Sequence, residues 1–403
     1  MIRNIFLTVL MLFLSSSAYA ACNYDNQHKI SYIGNAYAAV EAIASALEEC
    51  SNVTTELNKD YQEKLVEGAR ANPSLYQVFM VTQSGIVPLL ADGSIRPLDD
   101  LVAKYAPDLD ANRLYKVDGK IMAIASAVNN QHFFYRSDIF KDLGILPPKT
   151  YDDVLAAAEK IKAANVVDYP LAGTYKTGWN LAEEFVNMYL GHQADFFADG
   201  NMPSINNDAG VASLEMMKQL TAYMDPEYLV SDSTHAQKQF QQKKVAMGNL
   251  WATRAAAMDK EGESEVIGLV EFSAAPLSKK GGISASSSWW GGFAIAANIP
   301  DDHAEAAFRV GLEGYDSEMA KGSCKVSIWL IEGCDIDRYS SGALATVDQG
   351  ISPYPASKPM GIMHTELGKG IPDYLNGKIT AQQALENIEA AYIVGAQEAG
   401  LVN

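Results

Sequence analysis

Along the first third of the chain, short apolar runs alternate with stretches in which apolar residues return every three or four positions. Ile30, Tyr32 and Ile33 form the first run, and Val40, Ile43, Leu47 and Cys50 follow at helical spacing. Asn35 stands between them, where it is expected to cap the helix. The alternation repeats: the run 53–57 (VTTEL) precedes an amphipathic stretch around Leu65, Val66 and Ala69, and the run 76–81 (YQVFMV) makes a third strand. Strands and helices alternating at such intervals predict a parallel sheet with crossover helices, in which ligands bind beyond the carboxyl ends of the strands.

Turn chemistry divides the next segments. Gly93 closes the helix SGIVPLLAD, and Asp118-Gly119 forms a hairpin turn between two β-like runs. A strand through Phe133, Phe134 and Tyr135 enters a short helix, and the breaker Pro147-Pro148 stops it. Thr150 with Asp153 three residues on is a capping box for a helix that runs to about Ala164. Helices are predicted near 179–192, 208–224 and 234–243, then a buried strand at 245–250 and a further strand at 266–272. A strand at 289–297, a helix at 301–314 and a terminal helix from about Thr380 to Glu398 follow. No Pro/Gly/Ser-rich joint and no short repeat interrupts this order. The absence of a joint predicts two interwoven lobes, with the chain crossing more than once, and a ligand cleft between them.

Composition narrows the function. The 403 residues are 48% hydrophobic and 20% charged, enough to fill two cores, which excludes a disordered chain and a polytopic membrane protein. Lys and Arg number 31 against 49 Asp and Glu, a net charge of −18, so nucleic acid is not an expected partner. At the N-terminus Arg3 precedes an apolar run from Ile5 to Leu14, and Ala18 and Ala20 bracket Tyr19. Residues 1–20 therefore read as a cleaved secretory signal peptide. A membrane anchor would need roughly 20 apolar residues, about twice what this run offers. Cys22 raises the question of a lipoprotein, but Tyr19 stands where lipoproteins usually carry Leu, so a free periplasmic product is expected. Export implies an oxidising compartment, and the cysteines fall as two local pairs, Cys22 with Cys50 and Cys324 with Cys334. Two disulfides are expected, although four cysteines permit three connectivities. The spacings are too long for paired CxxC-type zinc ligands, so neither metal nor cofactor is expected.

No catalytic constellation stands out. The six histidines are scattered, and HExxH, G-x-S-x-G and the G-x-x-x-x-G-K-[ST] phosphate loop are all absent. Acid pairs cannot be picked out of a sequence this rich in carboxylates, so a secreted carbohydrate-active enzyme stays as the alternative from another class. A secreted interaction protein using the acidic surface is a third.

Four stretches carry a family resemblance: 76–101 (YQVFMVTQSGIVPLLADGSIRPLDDL), 118–161 (DGKIMAIASAVNNQHFFYRSDIFKDLGILPPKTYDDVLAAAEKI), 240–251 (FQQKKVAMGNLW) and 275–297 (APLSKKGGISASSSWWGGFAIAA). In that order they resemble the extracellular solute-binding proteins of ABC transporters, in the carbohydrate-binding group that includes maltose- and glycerol-3-phosphate-binding proteins. The resemblance implies an α/β, two-lobed periplasmic-binding-protein fold with a multi-strand hinge and an interlobe cleft. It divides the chain after the signal peptide into lobe 1 (21–132 and 273–325) and lobe 2 (133–272 and 326–403). It implies a monomer that delivers a small polar solute to inner-membrane permease subunits, which would spend the ATP.

Sugars present apolar C–H faces and hydroxyl edges, so their sites need flat aromatic surfaces rimmed by amides and charged groups. Trp251 ends the strand VAMGNL at its carboxyl end, which resembles the family's aromatic platform, and Arg254 lies one turn on. Trp289 and Trp290 are adjacent in a strand, so their rings point to opposite faces, and one is expected in the cleft, with Trp290 slightly preferred. The following Gly291-Gly292 allows a ligand or a backbone to approach. Trp179 starts a helix after Gly178 and is a further candidate, while Trp329 is expected in the core. Gln83 follows its strand where the resemblance puts polar ligand contacts. Either Asn129 or Asn130, next to the hinge, should face the cleft. Asn35 and the pair Tyr61 and Gln62 are weaker candidates. A tryptophan cage also suits quaternary ammonium groups, so a compatible solute such as a betaine is the rival ligand.

Overall fold

The computed structural model describes residues 22–335 and 337–402; the expected signal peptide lies outside them. Among the described residues the strands are β1 (Ile30–Gly34), β2 (Val53–Leu57), β3 (Val78–Thr82), β4 (Leu114–Val117), β5 (Lys120–Asn129), β6 (Gln131–Arg136), β7 (Tyr169–Leu171), β8 (Val245–Trp251), β9 (Val270–Ser273), β10 (Ser287–Ile295), β11 (Ile328–Trp329) and β12 (Ser352–Pro353). They form two sheets. One has the order β11-β5-β10-β3-β1-β2, with β4 on β5 and β12 on β10; the other is β7-β8-β6-β9.

The expected parallel sheet is present only in part. β1 pairs in parallel with β2 and β3, but β10 runs antiparallel to both β3 and β5, and β11 and β4 are antiparallel to β5. The reason is topological: β10 and β11 return from the other lobe, and a returning strand need not follow a crossover helix. Asp118 and Gly119 both take positive φ, 50° and 78°, at the β4–β5 turn. The Thr150–Asp153 capping box is formed at the start of the helix Tyr151–Ala164. The strand expected at 266–272 begins only at Val270, because Gly268 at φ 72° turns the chain first.

Each sheet carries its own core. Ile33, Phe79, Val81, Ile124, Phe293 and Phe308 are sealed in the first, and Val154, Leu181, Phe185, Met217, Leu367 and Leu385 in the second. Each such side chain contributes about 1.5–3 kcal/mol by leaving water, so each lobe is held by its own apolar interior. Trp329 is only half-buried, on the sheet-edge strand β11, with its Nε1 donating to Ser323 O at 3.0 Å. The structure joins Cys22 to Cys50 and Cys324 to Cys334.

The hinge is made of neighbouring crossings. The chain leaves the first sheet at Asn129 and enters the second at Gln131. Alongside it, Ser286 Oγ donates to Gln131 O at 2.8 Å and accepts from Gln131 N–H at 3.1 Å. Leu330 N–H donates to Ser126 O at 2.8 Å as the chain departs for the last time. The return crossing comes later than the expected border at 272/273. Leu277 still bonds Lys149, and Ser278 Oγ still donates to Met188 O at 2.6 Å, both on lobe 2. The last crossing follows Trp329, a little beyond the expected 325/326 border. The first segment is irregular chain and the second holds only the two-residue strand β11, too short for a period to mark the lobe it lies on.

Candidate functional site

Three of the five tryptophans meet on one wall. Trp251 is the last residue of β8, Trp289 lies on β10, and Trp179 opens the helix Trp179–Gly191. Gly178 sets the helix start with φ 96°, and its backbone lies so close to Gly368 that a Cβ there would come within 2.6 Å of Gly178 O. Ring centroids are 6.2 Å apart for Trp179–Trp251, 5.6 Å for Trp179–Trp289 and 6.2 Å for Trp251–Trp289. Trp251 and Trp289 are buried by this packing, whereas Trp179 remains 42% exposed.

Two residues that sequence reasoning missed complete the wall. Tyr354 packs on Trp289 with centroids 4.1 Å apart, and His364 packs on Trp179 at 5.3 Å. His364 Nε2 lies 3.0 Å from Trp179 O, and its Nδ1 2.9 Å from the Tyr354 hydroxyl. A carbonyl can only accept, so Nε2 carries the proton and Nδ1 accepts from Tyr354. Burial pushes the His364 pKa down to about 4, which keeps the ring neutral and this tautomer in place.

Behind the tryptophans lies a buried polar layer, also missed. Glu183 Oε1 accepts from Trp289 Nε1 at 2.9 Å, and Ser287 Oγ lies 2.7 Å from both Glu183 Oε1 and Asn187 Oδ1. Burial raises the Glu183 carboxyl to about 8, against the opposing hydrogen bonds of Ser287 and Trp289. A neutral carboxyl suits the geometry: its O–H can donate to Ser287, whose single proton then goes to Asn187. Glu184 accepts from Gln131 Nε2 at 2.8 Å and from Thr174, and burial raises it to about 7. The sequence held a signal for this layer. From Leu181 to Gly191 the helix is buried all round, so its acids had to be buried too.

The opposite wall is polar. Asn35 does not cap the first helix: that helix starts at Ala38 with Tyr37 as its N-cap, and Asn35 Oδ1 accepts from the next amide, Ala36 N–H, at 2.7 Å. Residues 36 and 37 stay outside the helix, so Tyr37 is carried beyond β1. Burial raises the Tyr37 hydroxyl pKa, Tyr61 adds to the rise, and Arg254 of the other lobe opposes it. Arg254 itself is held by neutral groups, Gln237 Oε1 at 3.0 Å, Ser233 Oγ at 3.3 Å and Thr234 Oγ1 at 3.4 Å. Burial lowers its pKa, and Asp232 and Tyr37 oppose the drop. Gln62, next to Tyr61, is exposed.

At the other end of the cleft Gln83 Nε2 donates to Tyr354 O at 2.6 Å, a direct bond from lobe 1 to lobe 2. A cavity of about 580 Å³ opens there between the lobes, lined by Arg70, Ser84, Tyr354, Ser357 and Lys358 among others. Trp251, three residues before Arg254, and Trp289, packed on Tyr354, thus each adjoin one of two interlobe approaches, Tyr37 to Arg254 and Gln83 to Tyr354. A separate cavity of about 400 Å³, lined by Cys22, Glu49, Glu313 and Asp316, contains none of the tryptophans.

The remaining candidates separate. Asn129 pairs in register with Trp289, and its buried Oδ1 has no hydrogen-bond partner among the described residues. Asn130 is buried and donates its Nδ2 to Ala343 O at 3.0 Å, a hinge contact. Trp290 points the other way from Trp289 and packs on Tyr115 with centroids 4.5 Å apart, against the lobe 1 core. At Gly292 a backbone makes the close approach: a Cβ would lie 2.0 Å from Ile124 O.

Comparison with known proteins agrees with this architecture. The family model described as bacterial extracellular solute-binding protein matches residues 42–309. An sn-glycerol-3-phosphate-binding periplasmic protein of Agrobacterium fabrum is 25% identical over 197 residues, 44% of this chain and 44% of that protein. The match therefore spans less than half of that relative's length. A multiple sugar-binding protein of Streptococcus mutans is 36% identical over 67 residues, covering 17% of this chain and 16% of its own. Among solved structures, an ABC transporter solute-binding protein from Agrobacterium radiobacter in complex with ribitol superposes with a TM-score of 0.78 at 19% identity. It covers 92% of this chain and 99% of that one. A second, from Agrobacterium vitis with bound D-mannitol, gives 0.76 at 19% identity, with the same coverage. These likenesses establish the two-lobed fold.

Proposed function

The chain belongs to the bacterial extracellular solute-binding protein family, and on that premise we propose that it captures a sugar, oligosaccharide or polyol between its lobes. It would then deliver the solute to the permease of an ABC importer. The observation that carries this reading is the aromatic wall of Trp179, Trp251, Trp289 and Tyr354 adjoining two polar interlobe approaches. Flat rings cover the C–H faces of a sugar ring or polyol, and Gln83, Asn129, Asn35, Tyr37 and Arg254 offer amide, hydroxyl and guanidinium partners to its hydroxyls. Trp290 and Asn130 support the site from outside it. Contacts made by both lobes favour the closed form over the open one, which is how binding becomes a conformational signal.

The reading is of a binder without turnover. Glu183 and Glu184 are committed to Trp289, Ser287, Gln131 and Thr174, so neither is free to flank a glycosidic bond. Lobe 1 is taken as 21–132 and 273–325 and lobe 2 as 133–272 and 326–403, with the crossings adjusted as described above. We place the mature protein in the periplasm as a monomer. Among the described residues no helix is long and apolar enough to cross a membrane.

A thermal-shift screen of sugars, polyols, sugar phosphates and betaines, followed by calorimetry, tests the reading. A carbohydrate or polyol should raise the melting temperature and be recovered unchanged. A shift given by betaines alone, or product release from an oligosaccharide, would overturn it.

A further inference from the structure

Far from the tryptophan wall, His28, Asp302 and His303 converge on lobe 1. One imidazole nitrogen from each histidine and one carboxylate oxygen of Asp302 all lie within 4.8 Å of one another. The two imidazoles meet edge to face with centroids 4.5 Å apart. His28 lies just before β1, and Asp302 and His303 lie in the first turn of the helix Asp301–Gly314.

Both backbones are fixed in advance. Asn26, fully buried, accepts from His28 N–H at 3.0 Å and donates through Nδ2 to His28 O at 2.8 Å and Ser51 O at 2.7 Å. Asn52 Nδ2 closes the clamp on Asn26 O at 3.0 Å. On the other side Ala304, Ala306, Ala307 and Phe308 are completely buried and lock the helix that carries His303. The histidines are half-buried and Asp302 is exposed, so the triad has one open side.

We propose that His28, His303 and Asp302 bind one divalent transition-metal ion of the zinc type. Two imidazoles with one carboxylate match the ligand preferences of zinc and its neighbours, whereas magnesium and calcium take oxygen ligands throughout. Metal–ligand bonds of about 2.0–2.2 Å require the donors to draw together to about 3.4 Å, a small movement for rotation of the half-buried imidazoles and of the exposed Asp302 carboxylate to supply. Asp301 and Asp302 also set negative charge against the positive end of the helix, which would otherwise repel a cation. The fourth position opens to water. An ion held there would join the segment before β1 to the helix Asp301–Gly314, and would stabilise the folded chain by mass action.

Calorimetric titration of zinc chloride into the untagged, metal-stripped protein tests this, with melting temperature followed in parallel and magnesium chloride as control. One zinc per chain, a melting temperature that climbs with zinc and no response to magnesium are expected. His28→Ala and His303→Ala should each weaken zinc binding by roughly tenfold or more, and Asp302→Asn by less. Far-UV circular dichroism confirms folding, and His28→Gln replaces any variant that does not fold. The proposal fails if the wild type takes up no zinc. It fails equally if the His28→Ala/His303→Ala protein binds zinc as tightly as the wild type, since the ion would then sit elsewhere.

Discussion

On one side the cleft wall is aromatic and held from behind, by lobe 2 residues and by Trp289, which lies on the lobe 1 strand β10 but packs into the lobe 2 core: Trp289 is tied to Glu183, Trp179 to His364, and Tyr354 to both neighbours by contact or hydrogen bond. On lobe 1 the wall is a row of polar side chains at strand ends, Asn35, Tyr37 and Gln83, each with few partners of its own. On the proposed function, the difference gives the two walls separate work. A fixed aromatic surface binds a carbon skeleton with little loss of side-chain entropy, and so supplies affinity. Loosely held polar groups gain partners only when the lobes close, and so report that the right hydroxyl pattern is present.

The comparison breaks most visibly at the aromatic wall. Trp251→Ala should weaken solute binding by roughly 10- to 150-fold, the value of about 1.5–3 kcal/mol for one large apolar side chain. Trp179→Ala tests the same wall with less damage to packing, since that ring is partly exposed. Calorimetry on folded protein reads both; unchanged affinity in both variants would remove lobe 2 from the site.

A smaller loss is expected from lobe 1. Gln83→Ala deletes the Nε2 bond to Tyr354 O and should cost about 1 kcal/mol of closure, roughly fivefold in affinity. A small-angle scattering comparison with and without solute should show weaker compaction in that variant.

Glu183→Gln should change affinity least among site variants, because the amide oxygen can still accept from Trp289 Nε1 and from the Ser287 hydroxyl. Its signature is in pH. The Glu183 pKa is raised by folding, so its contribution to stability is whole below the ordinary value of 4.5 and is lost as pH rises through about 8. The variant should therefore lose less melting temperature than the wild type between pH 6 and 9. His364 acts with the opposite sign: its pKa is lowered, so its contribution is whole above 6.5 and is lost as pH falls through about 4.

Little effect on affinity is expected from Cys324→Ser with Cys334→Ser, which removes no ring of the Trp179, Trp251 and Trp289 wall and no hydrogen-bond partner of Arg254, although the turn Cys324–Val326 packs on the segment Ala252–Asp259. Closing a short loop gives about 2–3 kcal/mol of stability. Thermal unfolding should show that loss while calorimetry stays level.

Legibility followed the local physics. The helix Tyr151–Ala164 and strand β3 could be read because a capping box and an apolar run define them within a few residues. The meeting of Trp179, Trp251 and Trp289 could be anticipated only as three separate strand-end or helix-start positions, since their contacts join residues 38 to 110 positions apart. Tyr354, His364 and Glu183 were hidden for the same reason. Each lies in a segment whose period describes its own element, while its role comes from a partner on another. Asn35 misled because a capping residue and a strand-end residue look alike in sequence; only the two extra residues before the helix, Ala36 and the extended Tyr37, distinguish them.

The most direct test is the structure of the protein crystallised with the solute that the thermal screen identifies. The account predicts carbon atoms of the solute within about 4 Å of the Trp179 or Trp251 ring, with hydroxyls reaching Gln83, Asn129 or Tyr37 across the cleft. A solute bound on the outer surface of either lobe, with these rings uncovered, would contradict it.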